Sequence, residues 1–188
     1  MEDDNLKFPF DFPKESKPAV SIIGIGGGAG RIVNKMQACE LPDTELSAFG
    51  MNREEMEELS LPFKYLVGTD GLGSGKDRSL AESECQKILP SLEQILTDKI
   101  LSCFIVCLGG GTGEGCIRTF LQKAVDMQIK VKLLVVTLPH SSKGLEKREN
   151  ALRLLDEIEK YQKGFLLWTM MFCLAALFQI YIMKPTEK

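Results

Sequence analysis

Two glycine stretches stand where an apolar, strand-like run gives way to a helical pattern. Gly24-Ile25-Gly26-Gly27-Gly28-Ala29-Gly30 closes the run Val20 to Ile25, and Gly109-Gly110-Gly111-Thr112-Gly113-Glu114-Gly115 closes the run Leu101 to Leu108. Strand, glycines, helix is an arrangement suited to phosphate. The start of a helix leaves backbone N–H groups without partners, and the helix dipole favours negative charge there. Glycine lets the backbone approach the anion and adopt φ > 0. A third glycine-rich stretch, Gly71-Leu72-Gly73-Ser74-Gly75, lies between the two.

Each stretch has competing readings. Gly24 to Ala29 fits the dinucleotide pattern GxGxxA, so a Rossmann-type dinucleotide-binding oxidoreductase is one alternative. That class also needs an acidic residue ending the second strand. Gly50-Met51-Asn52 stands there instead. Gly75-Lys76 resembles part of a P-loop, but Asp70 holds the first glycine position and Asp77 the hydroxyl position, so the magnesium ligand is missing. A degenerate scaffold, whose glycines only permit tight turns, is a second alternative. The cysteines Cys39, Cys85, Cys103, Cys107, Cys116 and Cys173 include no CxxC pair, and the single histidine, His140, reads as a loop residue. This favours small buried thiols in a reducing compartment over a zinc site or disulfides.

The elements that would hold these loops alternate. Strands are expected at 20–25, 45–49, 64–67, 101–108 and 131–137, and helices at 29–39, 80–96 (bent at Pro90), from the second glycine loop to about 127, and at 145–161. The best strands are apolar on both faces, which implies a parallel sheet covered by helices on both sides. Ligands of such sheets sit beyond the carboxyl ends of the strands, where the glycines fall. With 188 residues, 44% hydrophobic, the chain suffices for one well-buried domain. A net charge of −3 and the lack of a Lys/Arg block argue against nucleic-acid binding.

Leu108-Gly109-Gly110-Gly111-Thr112-Gly113-Glu114-Gly115 resembles the tubulin/FtsZ signature GGGTG[ST]G. Gly24 to Gly30, followed by Val33-Asn34-Lys35-Met36, resembles that family's first nucleotide loop and helix. Leu72-Gly73-Ser74-Gly75 resembles its third loop, and Val135-Val136-Thr137-Leu138-Pro139 with Gly144 and Arg148 its fifth. Order and spacing agree over about 19–161. The resemblance implies a three-layer α/β domain with a parallel, Rossmann-like sheet in the order 3-2-1-4-5. It implies GTP or GDP as ligand, with magnesium held only through the nucleotide. Gly26, Gly27, Gly28, Gly30 and Arg31 would line the nucleotide. Gly109, Gly110, Gly111, Thr112 and Gly113 would wrap the phosphates, Gly73 and Gly75 would approach the terminal phosphate, and Arg148 would complete the site.

Polar positions depart from the family. Arg31 replaces an asparagine, Gly50-Met51-Asn52 replaces Asn-Thr-Asp, and Lys143 falls near the ribose-binding glutamate, for which Glu146 could compensate only if the loop is shifted. Glu114 replaces a Ser/Thr of the phosphate loop. Its carboxylate must turn away or meet a cation, with Arg31, Lys76 and Lys143 to offset it. Nothing after Tyr161 resembles the family's base-contacting asparagine or the acidic loop that activates water on a neighbour's nucleotide. The expectation is a truncated, cytoplasmic, cell-division-type protein that binds guanine nucleotide, hydrolyses it poorly alone, and caps a complete FtsZ-like homologue at one end.

Residues 1–18 read as a flexible arm, with no secretory signal. Residues 164–183 contain no Asp, Glu, Lys or Arg, and as a helix would span roughly 30 Å. Phe165, Trp168 and Tyr181 lie near the ends of this run as interface anchors would. Three readings stand: a transmembrane helix, a buried strand at 165–169 followed by a core helix, or a frameshifted tail.

Overall fold

The computed structural model describes residues 17–129, 131–139, 141–158, 166–169 and 180–182. Its strands are β1 (Val20–Ile25), β2 (Thr44–Gly50), β3 (Phe63–Leu66), β4 (Leu101–Cys107), β5 (Val131–Leu138), β6 (Leu166–Thr169) and β7 (Ile180–Ile182). They form one sheet in the order β3-β2-β1-β4-β5-β6-β7. The first six are parallel, and β7 returns antiparallel against β6. The expected order 3-2-1-4-5 is therefore present, extended by two strands at the β5 edge. The helices are α1 (Gly27–Met36), α2 (Arg53–Glu57), α3 (Arg78–Lys87), α4 (Leu89–Leu96), α5 (Gly111–Asp126) and α6 (Leu145–Ile158).

Strand side chains alternate between two cores because successive Cβ atoms point to opposite faces. Ile23 and Ile25 of β1, with Phe104 and Val106 of β4, pack beneath α3, α4, α5 and α6. Ile22, Cys103 and Ile105 pack beneath α1 and α2 with Val33, Leu46 and Leu59. Phe49 ties β2 to both β3 and α5, stacking on Tyr65 at 4.7 Å and meeting Phe120 edge-on at 4.9 Å. Two buried serines pair across strands: Ser21 Oγ donates to Ser102 Oγ at 3.0 Å. At the amino ends of the strands, far from the glycine loops, buried Lys99 donates to Glu45 at 3.1 Å and to the Pro18 carbonyl at 2.8 Å. A buried pair so satisfied resists disruption, since losing either partner strands the other charge.

Two expectations need correction. The single helix over 80–96 is two helices, broken at Ile88, with Pro90 in the first turn of α4. Proline lacks an N–H and clashes with the preceding turn, so it is tolerated at a helix start but not inside one. The continuous apolar helix over 164–183 is not formed either: Leu166–Thr169 is a strand paired with Val135 to Leu138, and Ile180–Ile182 pairs back on it. An apolar run satisfies its backbone equally by helix or by joining a sheet edge, and here β5 offers that edge. Among the described residues no helix is long and apolar enough to cross a membrane. Residues 1–16, His140 and Cys173 lie outside the described residues, as does most of 159–188.

Candidate functional site

The carboxyl ends of β1 and β4 are direct neighbours, with Ile25 opposite Val106. The two glycine loops therefore leave the sheet side by side. Gly26 turns the chain at φ +87° and donates its N–H to the Phe49 carbonyl at 2.7 Å. A Cβ on Gly26 would stand 3.3 Å from the Gly113 nitrogen, so the two loops touch backbone to backbone. The third stretch closes the other side. A Cβ on Gly111 would strike Ser74 Oγ and lie 2.8 Å from the Lys76 backbone. Lys76 itself adopts φ +70°, a conformation that costs a non-glycine residue energy and persists only where neighbours impose it.

These surroundings sort the glycines. Gly111 and Gly115 have no room for a side chain, Gly115 facing the Arg78 carbonyl and Ala81 of α3, and Gly113 is tight, with Val106 and the Cys107 carbonyl 3.0 and 3.1 Å from an added Cβ. Gly30 is buried against Leu59 and Ala48, so it packs α1 onto the sheet and faces no cleft. Gly110 and Gly75 face open space, with nothing within 4 Å of an added Cβ. Gly73, at φ +87°, holds its loop by donating to the Met51 carbonyl at 3.0 Å. The N–H groups of Gly111, Thr112 and Gly113, in the first turn of α5, have no acceptor within that helix.

Carboxylates enter the glycine-lined end of this arrangement. Glu114 folds back, and its Oε1 accepts the Gly109 N–H at 2.7 Å while Gly109 sits at φ +96°. Of the ways sequence left open for this residue, turning onto its own loop is the one taken. Glu55 was not singled out from sequence, yet its carboxylate lies where a Cβ of Gly27 would go, 3.7 Å from Arg31. The available signal was the spacing Asn52-x-x-Glu55. Asn52 caps α2 by accepting the Glu55 N–H at 3.1 Å, and an acid at the third helical position is a helix-start signature. Asp77, which excluded a P-loop, caps α3 in the same way, accepting from Ser79 and Leu80.

Two adjoining clefts result. The smaller, about 270 Å³, lies over Gly26 to Gly28, Glu55 and Gly110 to Gly113. The larger, about 580 Å³, runs between α1 and the loop after β5, and shares Gly28, Cys107 and Leu108 with the first. Arg31, Lys35, Lys143 and Lys147 line it together with apolar groups of Ile32 and Pro139. Lys143 thus faces the cleft, whereas Glu146 and Arg148 are exposed and line neither cleft; Lys147, one residue before Arg148, does. Cys107, half-buried at the junction, has its thiol pushed up by burial, offset in part by a Thr137 hydrogen bond and the Arg31 charge. Among the described residues no cluster of His, Cys, Asp or Glu could hold a metal ion.

No protein-family model matches the chain. The cell division protein FtsZ of Aquifex aeolicus is 29% identical over 150 residues, 78% of this chain and 41% of that protein. The mitochondrial division protein fszB of Dictyostelium discoideum is 29% identical over 153 residues, 77% of this chain and 41% of that protein. Among solved structures, an FtsZ dimer of M. jannaschii superposes with a TM-score of 0.75 at 20% identity, covering 83% of this chain and 46% of the other. The phage c-st TubZ of Clostridium botulinum superposes with a TM-score of 0.69 at 17% identity, covering 82% and 53%. The chain spans less than half the length of these curated relatives. On sequence and fold together, the chain is similar to cell division proteins of the FtsZ type over 78% of its length and has the fold of the solved FtsZ and TubZ structures.

Proposed function

We propose that this chain binds a guanine nucleotide, GTP or GDP, with its phosphates at the start of α5 and its nucleoside in the larger cleft. The observation that carries the reading is the cleft over the two glycine loops, where nothing stands within 4 Å of a Cβ added at Gly110. Three loops from distant parts of the chain converge there. The smaller cleft suits phosphates and the larger a nucleoside. Gly26 to Gly28, Gly73, Gly75, Gly109 to Gly113 and the Thr112 hydroxyl are the groups that would meet the phosphates. Magnesium would come with the nucleotide and would also offset the Glu55 carboxylate.

Glu55 over Gly27 is the one observation that favours a dinucleotide instead, since it brings an acid to the first glycine loop. Calorimetric titration with GTP, GDP and NAD separates the readings. Saturable GDP or GTP binding that NAD does not displace is the expected result. NAD displacing GTP would assign the site to the oxidoreductase class, and no saturable binding would leave a scaffold. No acidic loop of the family's type is recognisable among these residues, so turnover by the purified chain is expected to be slow. Added to a filament of a complete homologue, the chain would occupy one end only. GTP turnover matching a complete family member would refute this part.

A further inference from the structure

The two clefts carry opposite charge. The phosphate end has carboxylates, Glu114 on the Gly109 N–H and Glu55 over Gly27. The nucleoside end has four cations, Arg31, Lys35, Lys143 and Lys147, and no carboxylate in its lining. Among the described residues Lys35, Lys143 and Lys147 form no salt bridge, and Arg31 meets Glu55 only at 3.7 Å. Lys143 ends the short 3-10 turn Ser141–Lys143 and Lys147 lies in the first turn of α6, and both line the cleft with Arg31 and Lys35, which are one turn apart on α1. Two pairs of like charge facing one cleft repel each other unless an anion lies between them. A neutral ribose and base would leave that repulsion standing. The 5′ phosphates do not reach there, being held at the start of α5 by the reading on which this inference rests.

From these charges we infer that the larger cleft selects a guanine nucleotide carrying an additional phosphate on its ribose, at the 2′ or 3′ hydroxyl. The ribose of a nucleotide seated on α5 enters the cleft at Gly28 and Cys107, and its hydroxyls face Lys143 and Lys147 or the α1 pair. A ribose phosphate brings up to two negative charges and three acceptor oxygens to ammonium and guanidinium donors, the charge-assisted bonds that contribute most. The apolar groups Ile32 and Pro139 remain for the sugar and base.

The experiment titrates the full chain with GDP, with GDP bearing a 3′-phosphate, with GDP bearing a 2′-phosphate, and with inorganic phosphate. A ribose-phosphorylated nucleotide should bind at least about tenfold tighter than GDP. In the double variant Lys143→Gln, Lys147→Gln that ratio should fall below about threefold. Circular dichroism of the variant confirms that it is folded. GDP binding as tightly as both ribose-phosphorylated forms would overturn the inference and leave guanine-nucleotide binding intact. So would an equal loss of affinity for all three nucleotides in the double variant, since the lysines would then serve the 5′ phosphates. Inorganic phosphate displacing the ribose-phosphorylated forms as well as GDP does would assign the cleft to a free anion. No binding of any nucleotide would refute the inference together with the function it rests on.

Discussion

Helices α1 and α5 both begin in glycine at neighbouring strand ends, and they use it for different purposes. At the start of α5, Gly111, Gly113 and Gly115 are spaced to lie against the Gly75–Lys76 turn, β4 and α3; Gly111 and Gly115 lack room for a methyl group and Gly113 has little. At the start of α1, Gly27 and Gly28 lie under Glu55 and Cys107, two side chains that also border the clefts. One set of glycines fixes the frame and the other leaves a surface that side chains or ligands can cover. The glycine-rich signature is thus largely a packing device, and only Gly110 within it faces open space. The same loop can carry a GGGTG pattern for stability as much as for phosphate.

The sharpest way to break this comparison is Gly115→Ala. Its Cβ would come 2.5 Å from the Arg78 carbonyl and 2.6 Å from Ala81, so α3 must move away from α5. A loss of about 3 kcal/mol in urea unfolding is expected. A loss under about 0.5 kcal/mol would show that α5 is not frame.

The α1 side of β4 gives a second test, through pH. Burial pushes the Cys103 thiol up to about 11 from an ordinary 9.0. A group raised on folding prefers to stay protonated in the native state, so its contribution is full below pH 9 and is lost as pH rises toward 11. Unfolding free energy should fall by about 2 to 3 kcal/mol across that window, less steeply in Cys103→Ala. No difference between the two proteins would mean that α1 leaves this face open to water.

A smaller effect belongs to Glu114→Gln. The amide still accepts the Gly109 N–H but without charge, costing about 1 kcal/mol of stability. Removing the negative charge from the loop should tighten GDP binding, measured by the same titration. Weaker binding would mean that the carboxylate supports the ligand. The smallest effect, Gly110→Ala, is the most discriminating. Gly110 has an extended backbone at φ −121°, which alanine adopts freely, and nothing stands near its Cβ. Stability should hold or rise by about 0.5 kcal/mol while affinity for GDP drops, because the methyl group occupies the ligand's space. A variant that loses stability as well would erase the distinction between open and packed glycines.

Local pattern alone determined the element order, the parallel sheet, the strand ends on which the site stands and the three loops that form it. Those features follow from short-range rules: apolar runs of strand length, glycines at their ends, and Asp77 or Asn52 where helices begin. Boundaries shifted where local chemistry was subtler, as when Pro90 started a helix instead of bending one. What tertiary structure alone decided depends on residues far apart in sequence. Arg78 and Ala81 make Gly115 a packing residue, and Glu55 covers Gly27 from another element. Lys143 and Lys147 line the same cleft as Arg31 and Lys35, over 100 residues away in sequence. The fate of Leu166–Thr169 was of the same kind. Its apolar residues suit a membrane helix or a buried strand equally, and only the free edge of β5 chose between them.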